Sequence, residues 1–318
     1  MHRPSNSLIR FDQDAISVYN VSSLSQISRL EKYFGLKAPS QIASRDYEIY
    51  RCGKTNLEFA QPMEPGNAIF YKWIASQPGY YPGVRWEYQA IIDRIDPVKI
   101  GLRVADVGCG DGQFLVAVKT QRSAAVLGVD TLAESVAICE SKGVAAACGF
   151  VEDVLVATPA LRESFDVVTS FHCLEYVPDP MAFLGHLKEL VRPGGLLYVS
   201  TPLSPMSFEH AWFDPQNHPP HHLTRWTLKA YRQAAEALRM DVSFVTPRSG
   251  SLLAWVWRTY RLRITGSPLR RPPAGDWGKI FFETLRLPLT FGQLWRGFAR
   301  AKVYGADTVL VVLTRRNG

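Results

Sequence analysis

The sequence predicts an α/β fold built on a mainly parallel, doubly wound sheet, with a cap before it and an insertion ahead of its last strand. Three observations carry this. From Gly101 to about Val245, apolar strand patterns alternate with amphipathic helix patterns, as right-handed βαβ units covered on both faces require. A glycine-rich turn, Asp106-Val-Gly108-Cys109-Gly110-Asp-Gly112, joins the first of these strands to the first helix. A final apolar strand over 308–314 arrives only after a long basic and aromatic interruption.

The elements can be justified in order. Residues 22–34 read as a helix through Leu24, Ile27, Leu30 and Tyr33, at three- and four-residue spacing. Residues 47–51 read as a short strand and 79–83 as a loop. The stretch 103–108 is a buried strand, followed by a helix over 111–120. A second strand over 125–130 leads to a helix with Leu132, Val136 and Cys139 on one face and Gly143 at its C-terminal cap. Strands three and four are 144–148 and 165–171. Asp179 is the expected N-cap of the next helix and Pro180 its first residue. Met181, Leu184, Leu187 and Val191 line that helix before Pro193-Gly194-Gly195 ends it. Strand five is 196–200, a helix runs through Leu228, Tyr231, Ala235 and Leu238, and strand six is 241–245.

Composition narrows the class. The chain has 318 residues, 47% hydrophobic and 20% charged, which suits a globular protein with a sizeable core. Its five cysteines form no CxxC pair, which fits a reducing compartment better than a disulfide framework or a zinc ribbon. The first residues lack the apolar core of a signal peptide, and no apolar run reaches the length of a membrane span. The expectation is a cytoplasmic protein.

The glycine turn carries the chemistry. Its glycines allow a tight turn and a close backbone approach to a ligand, and the helix behind it offers free N–H groups to an anion. Asp130, twenty-four residues beyond Asp106, closes the second strand where a carboxylate can accept from both hydroxyls of a ribose. A dinucleotide site wants G-x-G-x-x-G, whereas these glycines run G-x-G-x-G, and no Gly-Lys-Ser/Thr follows to make a P-loop. Asp106 would repel a pyrophosphate and suits an ammonium group.

Val104-Ala-Asp-Val-Gly-Cys-Gly-Asp-Gly, Asp130, Phe165-Asp-Val-Val, Leu174-Glu-Tyr-Val-Pro-Asp-Pro and Leu190-Val-Arg-Pro-Gly-Gly-Leu-Leu, taken together, resemble the successive motifs of class I S-adenosylmethionine-dependent methyltransferases. The resemblance covers roughly residues 100–248 and implies a Rossmann-like, seven-stranded sheet whose last strand is antiparallel. It implies S-adenosyl-L-methionine as cofactor, with Asp106, Gly108, Cys109, Gly110 and Gly112 at the methionine end and Asp130 and Thr131 at the ribose. Ser170, Phe171 and His172 would pass beside the sulfonium. Relatives often place an Asp directly after the glycine that follows strand three; Phe150 stands there, so the adenine contact falls to Glu152 or Asp153. Relatives also often read Leu-Glu-His where this chain reads Leu174-Glu175-Tyr176. A region near Tyr50-Arg-Cys52-Gly resembles a cysteine-rich ribbon that has lost its zinc ligands. The implied divisions are a cap or lid (1–92), a cofactor-binding core (93–248), a helical insertion (249–305) and the final core strand (306–318).

In-line methyl transfer depends on alignment, and a base is needed when the acceptor is a hydroxyl. The loop after strand five holds His210, His218, His221 and His222 with Trp212 and Trp226. His221 and His222 are the candidate base; a metal site lacks completing ligands, and a purely structural role stays open. The expected activity is O-methylation of a small-molecule, glycan or lipid-linked acceptor. The alternative is a non-catalytic nucleoside-binding adaptor of the same fold at a membrane surface. Tyr80, Tyr81, Arg85, Trp86 and Glu87 form a candidate lid or an ordinary capping helix. Between 249 and 306 lie ten Arg and Lys against Asp276 and Glu283, with Trp255, Trp257, Trp277 and Trp295. Peripheral membrane contact, a packed helical subdomain and, least favoured, nucleic acid are the readings of that insertion.

Overall fold

In a computed structural model of the chain the described residues are 14–42, 45–77, 85–206, 208–209, 212–247, 252–265, 277–289, 291–292, 295 and 307–317. The loop reading at 79–83, Tyr80, Tyr81, His210 and the insertion's Arg270, Arg271, Arg296, Arg300 and Lys302 lie outside them, as do the side chains of Trp255, Trp277 and Lys279.

The chain begins with β1 (Ala15–Val21), α1 (Ser23–Phe34), β2 (Tyr47–Cys52), β3 (Glu58–Gln61), α2 (Ala68–Ala75) and α3 (Trp86–Ile92). The alternating region follows as β4 (Arg103–Val107), α4 (Gln113–Arg122), β5 (Ala125–Asp130), α5 (Ala133–Ser141), β6 (Ala145–Cys148), α6 (Val151–Ala157), β7 (Phe165–Phe171), α7 (Pro180–Leu190) and β8 (Val191–Pro202). Then come β9 (Thr224–Arg225), α8 (Leu228–Ala237), β10 (Met240–Val245), α9 (Leu252–Thr265), α10 (Trp277–Leu285) and β11 (Thr308–Arg315).

The main sheet has seven strands in the order β10-β11-β8-β7-β4-β5-β6. Pairings from β8 through β6 are parallel, and β11 runs antiparallel between β8 and β10. Central strands are buried on both faces, so they read as unbroken apolar runs: Val104, Ala105 and Val107 in β4, and Val167, Val168 and Phe171 in β7, are all buried. The switch in strand order between β4, whose helix leads to β5, and β7 on its other side opens a crevice at their carboxyl ends.

Local chemistry sets the helices. Asp179 caps α7 by accepting from Met181 and Ala182 N–H at 3.1 and 3.0 Å, with Pro180 in the first turn. Met181, Leu184, Leu187 and Leu190 then face the core. Val191 does not extend that helix; it starts β8, and Pro193-Gly194-Gly195 lies within the strand's first residues. Thr227 caps α8 through Ala230 N–H at 3.1 Å, and Tyr231 stacks on Trp226 at 4.7 Å. Gly143, just past α5, takes the left-handed φ of 72° expected there. Leu132, expected on the inner face of α5, is instead its exposed N-cap.

In α1 the buried stripe is Ser23, Gln26, Leu30 and Tyr33, while Leu24 is 82% exposed. Hydrophobicity misplaced the face because Gln26 has a partner: its side-chain amide donates to the Pro215 carbonyl at 2.6 Å. The cap region holds helices, but it also contains a four-stranded antiparallel sheet, β1-β2-β3-β9. Its last strand comes from the histidine-rich loop. Arg225 on β9 is buried and donates to Glu58 Oε2 at 2.6 Å, Tyr19 Oη at 2.8 Å and Ser204 Oγ at 3.2 Å, and it pairs with Glu209.

This cluster sets two guanidiniums against two carboxylates: Arg225 pairs with Glu58 and Glu209, and Arg51 Nε donates to Glu58 Oε1 at 2.9 Å. Arg225→Met leaves Glu209 without its guanidinium and Glu58 with Arg51 alone, and a loss of about 3 kcal/mol is expected. Urea denaturation followed by circular dichroism checks this; an unchanged midpoint would show that the cluster does not hold the two sheets together.

Candidate active site

The β4–α4 turn forms the floor of the crevice. Gly108 has φ of 77° and its N–H donates to the Val129 carbonyl at 2.7 Å. A side chain there would overlap the Cys173 sulfur, so the backbone sits close against the turn after β7. The turn passes through Cys109, whose sulfur lies 3.8 Å from that of Cys139, to Gly112, the N-cap of α4. Gly110 N–H donates to Asp130 Oδ2 at 2.8 Å, and Leu132 N–H donates to Oδ1 at 2.9 Å. Backbone groups thus fix the Asp130 carboxylate at the end of β5, with lone pairs left for a diol.

Asp106 is buried one residue before the end of β4 and accepts from Thr169 Oγ1 at 2.7 Å. Burial raises its carboxyl pKa to about 7, the Thr169 bond lowers it and the Asp130 charge raises it further. A cationic group at this point would restore the carboxylate. An amino acid's ammonium beside Asp106, its carboxylate near the α4 N-terminus and a ribose at Asp130 suit this donor set.

The other expected cofactor residues are distributed unevenly. Thr131 follows Asp130 on the surface, and Glu152 and Asp153 lie exposed in the first turn of α6. Phe150, the N-cap of that helix, is 61% exposed. Ser170 turns its hydroxyl inward onto the Val107 carbonyl at 2.9 Å, so its side chain does not line the crevice. The Phe171 ring packs edge-on against Phe114 at 5.0 Å and Tyr88 at 4.9 Å, which fastens α3 to the core.

His172 has a left-handed φ of 51°. Its Nε2 lies 3.2 Å from Glu87 Oε1 on α3, and its Nδ1 lies 3.4 Å from Glu175 Oε1. Burial alone would depress this imidazole, but Glu175 and Glu87 outweigh it and hold its pKa above the ordinary value. Of the candidate lid residues, Trp86 Nε1 donates to Thr308 Oγ1 at 3.3 Å, and Glu87 is buried against His172.

His221 and His222 are both buried, with rings stacked at 4.5 Å. His221 Nδ1 lies 2.7 Å from the Gln216 carbonyl, and His222 Nδ1 lies 3.0 Å from Asn217 Oδ1. Both partners are acceptors, so each ring carries its proton on Nδ1 and turns a lone pair on Nε2 toward Tyr176 Oη, at 3.3 and 3.2 Å. Burial lowers the His221 pKa to about 4 and that of His222 well below the ordinary range. The pair is neutral and reaches outward through Tyr176. Glu175, buried and paired through Oε1 with His172, also has Oε1 3.9 Å from His222 Nε2. His218 has a structural place, bridging the Asp214 carbonyl at 2.6 Å and Tyr19 Oη at 2.9 Å.

Tyr176, Glu175 and the partnership of Glu87 with His172 are the site features that sequence reasoning missed. Tyr176 stood out there only as a departure from Leu-Glu-His. Among the described residues, no group of three or more His, Cys, Asp or Glu side chains is arranged to hold a metal ion.

Residues 81–238, about half the chain, match a family model described as a methyltransferase domain. The chain belongs to the class I S-adenosylmethionine-dependent methyltransferases. It is similar to a ubiquinone biosynthesis O-methyltransferase of Leptothrix cholodnii, 37% identical over 167 residues, which are 51% of this chain and 63% of that one. A protein of the same name from Paracidovorax citrulli is 36% identical over 114 residues, 35% of this chain and 47% of that one. The chain therefore spans less than two thirds of these curated relatives. A solved S-adenosylmethionine-dependent methyltransferase of Archaeoglobus fulgidus superposes with a TM-score of 0.47 at 16% identity, covering 77% of this chain and 98% of that one.

The raised Asp106 pKa gives binding a sign. Below about pH 7 the ligand-free protein holds a proton on Asp106 that an ammonium must displace. Calorimetric titration with S-adenosylhomocysteine is expected to show about tenfold weaker affinity at pH 6 than at pH 8, with proton release at pH 6. The same shift stabilises the ligand-free fold at low pH, and that contribution fades as pH rises through about 7. Asp106→Asn is expected to bind weakly at both values; pH-independent binding by the unmodified protein would remove Asp106 from the ammonium site.

Proposed function

We infer that this protein methylates a hydroxyl group of a small molecule. The observation that carries the reading is the neutral histidine pair converging on Tyr176 Oη in the loop after β7, on the crevice side of the sheet. Bound S-adenosylmethionine supplies an electrophilic methyl on a sulfonium. A neutral amine can attack such a methyl unaided, whereas a hydroxyl has to lose a proton as it reacts.

Two imidazole nitrogens face one phenol, so the Tyr176 proton can be donated to either ring. Tyr176 Oη accepts the proton of the substrate hydroxyl while passing its own to His222 Nε2. Glu175 Oε1, 3.9 Å from that nitrogen, offsets the transient positive charge. Burial keeps both rings unprotonated at neutral pH, and the nearby Glu175 carboxylate is what favours a proton on His222 as the reaction proceeds. The carboxyl ends of β4, β5 and β7 hold the cofactor, and α3, fastened by Tyr88 and Glu87, covers one side and limits water. His221 and His222 thus act through Tyr176 instead of touching the acceptor.

The names of the relatives support oxygen as the atom methylated and favour a small aromatic acceptor of the quinone-precursor type over a glycan. Labelled methyl transfer should be measured against catechols, other phenols, sugars and amines. A phenolic ether is the expected product, and methylation of amines alone would overturn the reading. Tyr176→Phe is expected to lower kcat about a hundredfold with S-adenosylhomocysteine affinity unchanged.

A further inference from the structure

The helices of the core turn their apolar stripe inward, but α10 leaves Phe281, Phe282 and Leu285 outside. Its inner face is tied to α9 by polar contacts: Thr284 Oγ1 meets Tyr260 Oη at 3.0 Å, and Glu283 lies 3.8 Å from Arg263. The opposite face carries Phe281, Phe282 and Leu285, continued by Leu289, each more than half exposed. Leu253 and Trp257, one turn apart on α9, are exposed as well. Another face of α9 is anchored, with Leu262 buried against Met206 and Phe208 and Arg258 donating to Asp307 at 2.8 Å. The hairpin therefore rests on the loop after β8, on the side of the sheet where the crevice opens.

Charge identifies what covers this face. Between 249 and 306 ten Arg and Lys stand against two acidic residues, so the whole of the chain's +7 excess lies in this segment. A second copy of the chain would set that excess against itself. A nucleic acid would leave the aromatic and aliphatic side chains facing phosphates. We propose that α9 and α10 dock on the surface of a bilayer containing anionic lipid. Apolar side chains enter the headgroup boundary while arginines meet the anionic groups. Arg286, with its guanidinium 4.4 Å from the Phe282 ring, can keep its charge at headgroup level as the ring is buried. No described helix is long and apolar enough to cross a membrane, so the contact lies along the surface.

Co-sedimentation with vesicles tests this without any turnover, so its outcome is separate from that of the acceptor assignment. The full chain is mixed with vesicles of phosphatidylcholine alone or of phosphatidylcholine with phosphatidylglycerol. Partition onto the second set is expected, weakening as salt is raised. The triple variant Phe281→Ser, Phe282→Ser, Leu285→Ser should lose at least about tenfold in partition. Its three sites are exposed, so its far-UV circular dichroism and S-adenosylhomocysteine binding should be unchanged. Failure to bind anionic vesicles, equal binding by the triple variant, or a self-association that the variant abolishes would each overturn the proposal.

Discussion

A carboxylate kept below the surface between β4 and β7 is the constraint around which the core is arranged. Burying Asp106 disfavours its charged form, and Thr169 offsets only part of that penalty. The group persists because two parallel strand ends hold it from either side, at the register where Asp106 pairs with Thr169. The same register brings Gly108 against Cys173, so the cofactor turn and the loop bearing His172, Glu175 and Tyr176 cannot move independently. The glycine turn and the loop after β7 share one seam.

A second polar layer surrounds that seam. Glu87 and Glu175 flank His172 and raise its pKa, whereas burial lowers the pKa of His221 and His222 in the β8–α8 loop and, for His221, outweighs the carbonyl at Nδ1. Histidine serves two purposes within a short distance. Where two carboxylates flank the ring its protonated form is favoured and it ties α3 to the core, and where carbonyls fix Nδ1 it is an acceptor at Nε2. Residue type does not decide between these; the partners do.

This explains how far the sequence could be read. The seven core strands, the glycine turn, the acids at the ends of β4 and β5 and the Asp179 cap were legible because periodicity and local hydrogen bonding dictate them. The histidine loop was recognisable as unusual, but the direction of each ring depends on Gln216, Asn217 and Tyr176, which reach it through tertiary packing. The β1-β2-β3-β9 sheet was largely hidden: β1 is mostly exposed and does not alternate, and β9 has two residues. In α1, Gln26 displaced Leu24 from the interior because a buried carbonyl awaited a donor. In each case a polar partner distant in sequence overrode a local pattern.

The crossing of β9 into the first sheet has a consequence for synthesis. Glu58 meets Arg225 across 167 positions of chain. A ribosome releasing this protein from the N-terminus exposes β1, β2 and β3 long before the strand that completes their sheet exists. Until then Glu58 has Arg51 of β2 but not Arg225, and the edge of β3 is open to other chains. The strands β1, β2 and β3 are thus made well before their sheet is secured, and the histidine-rich loop is the piece that secures it.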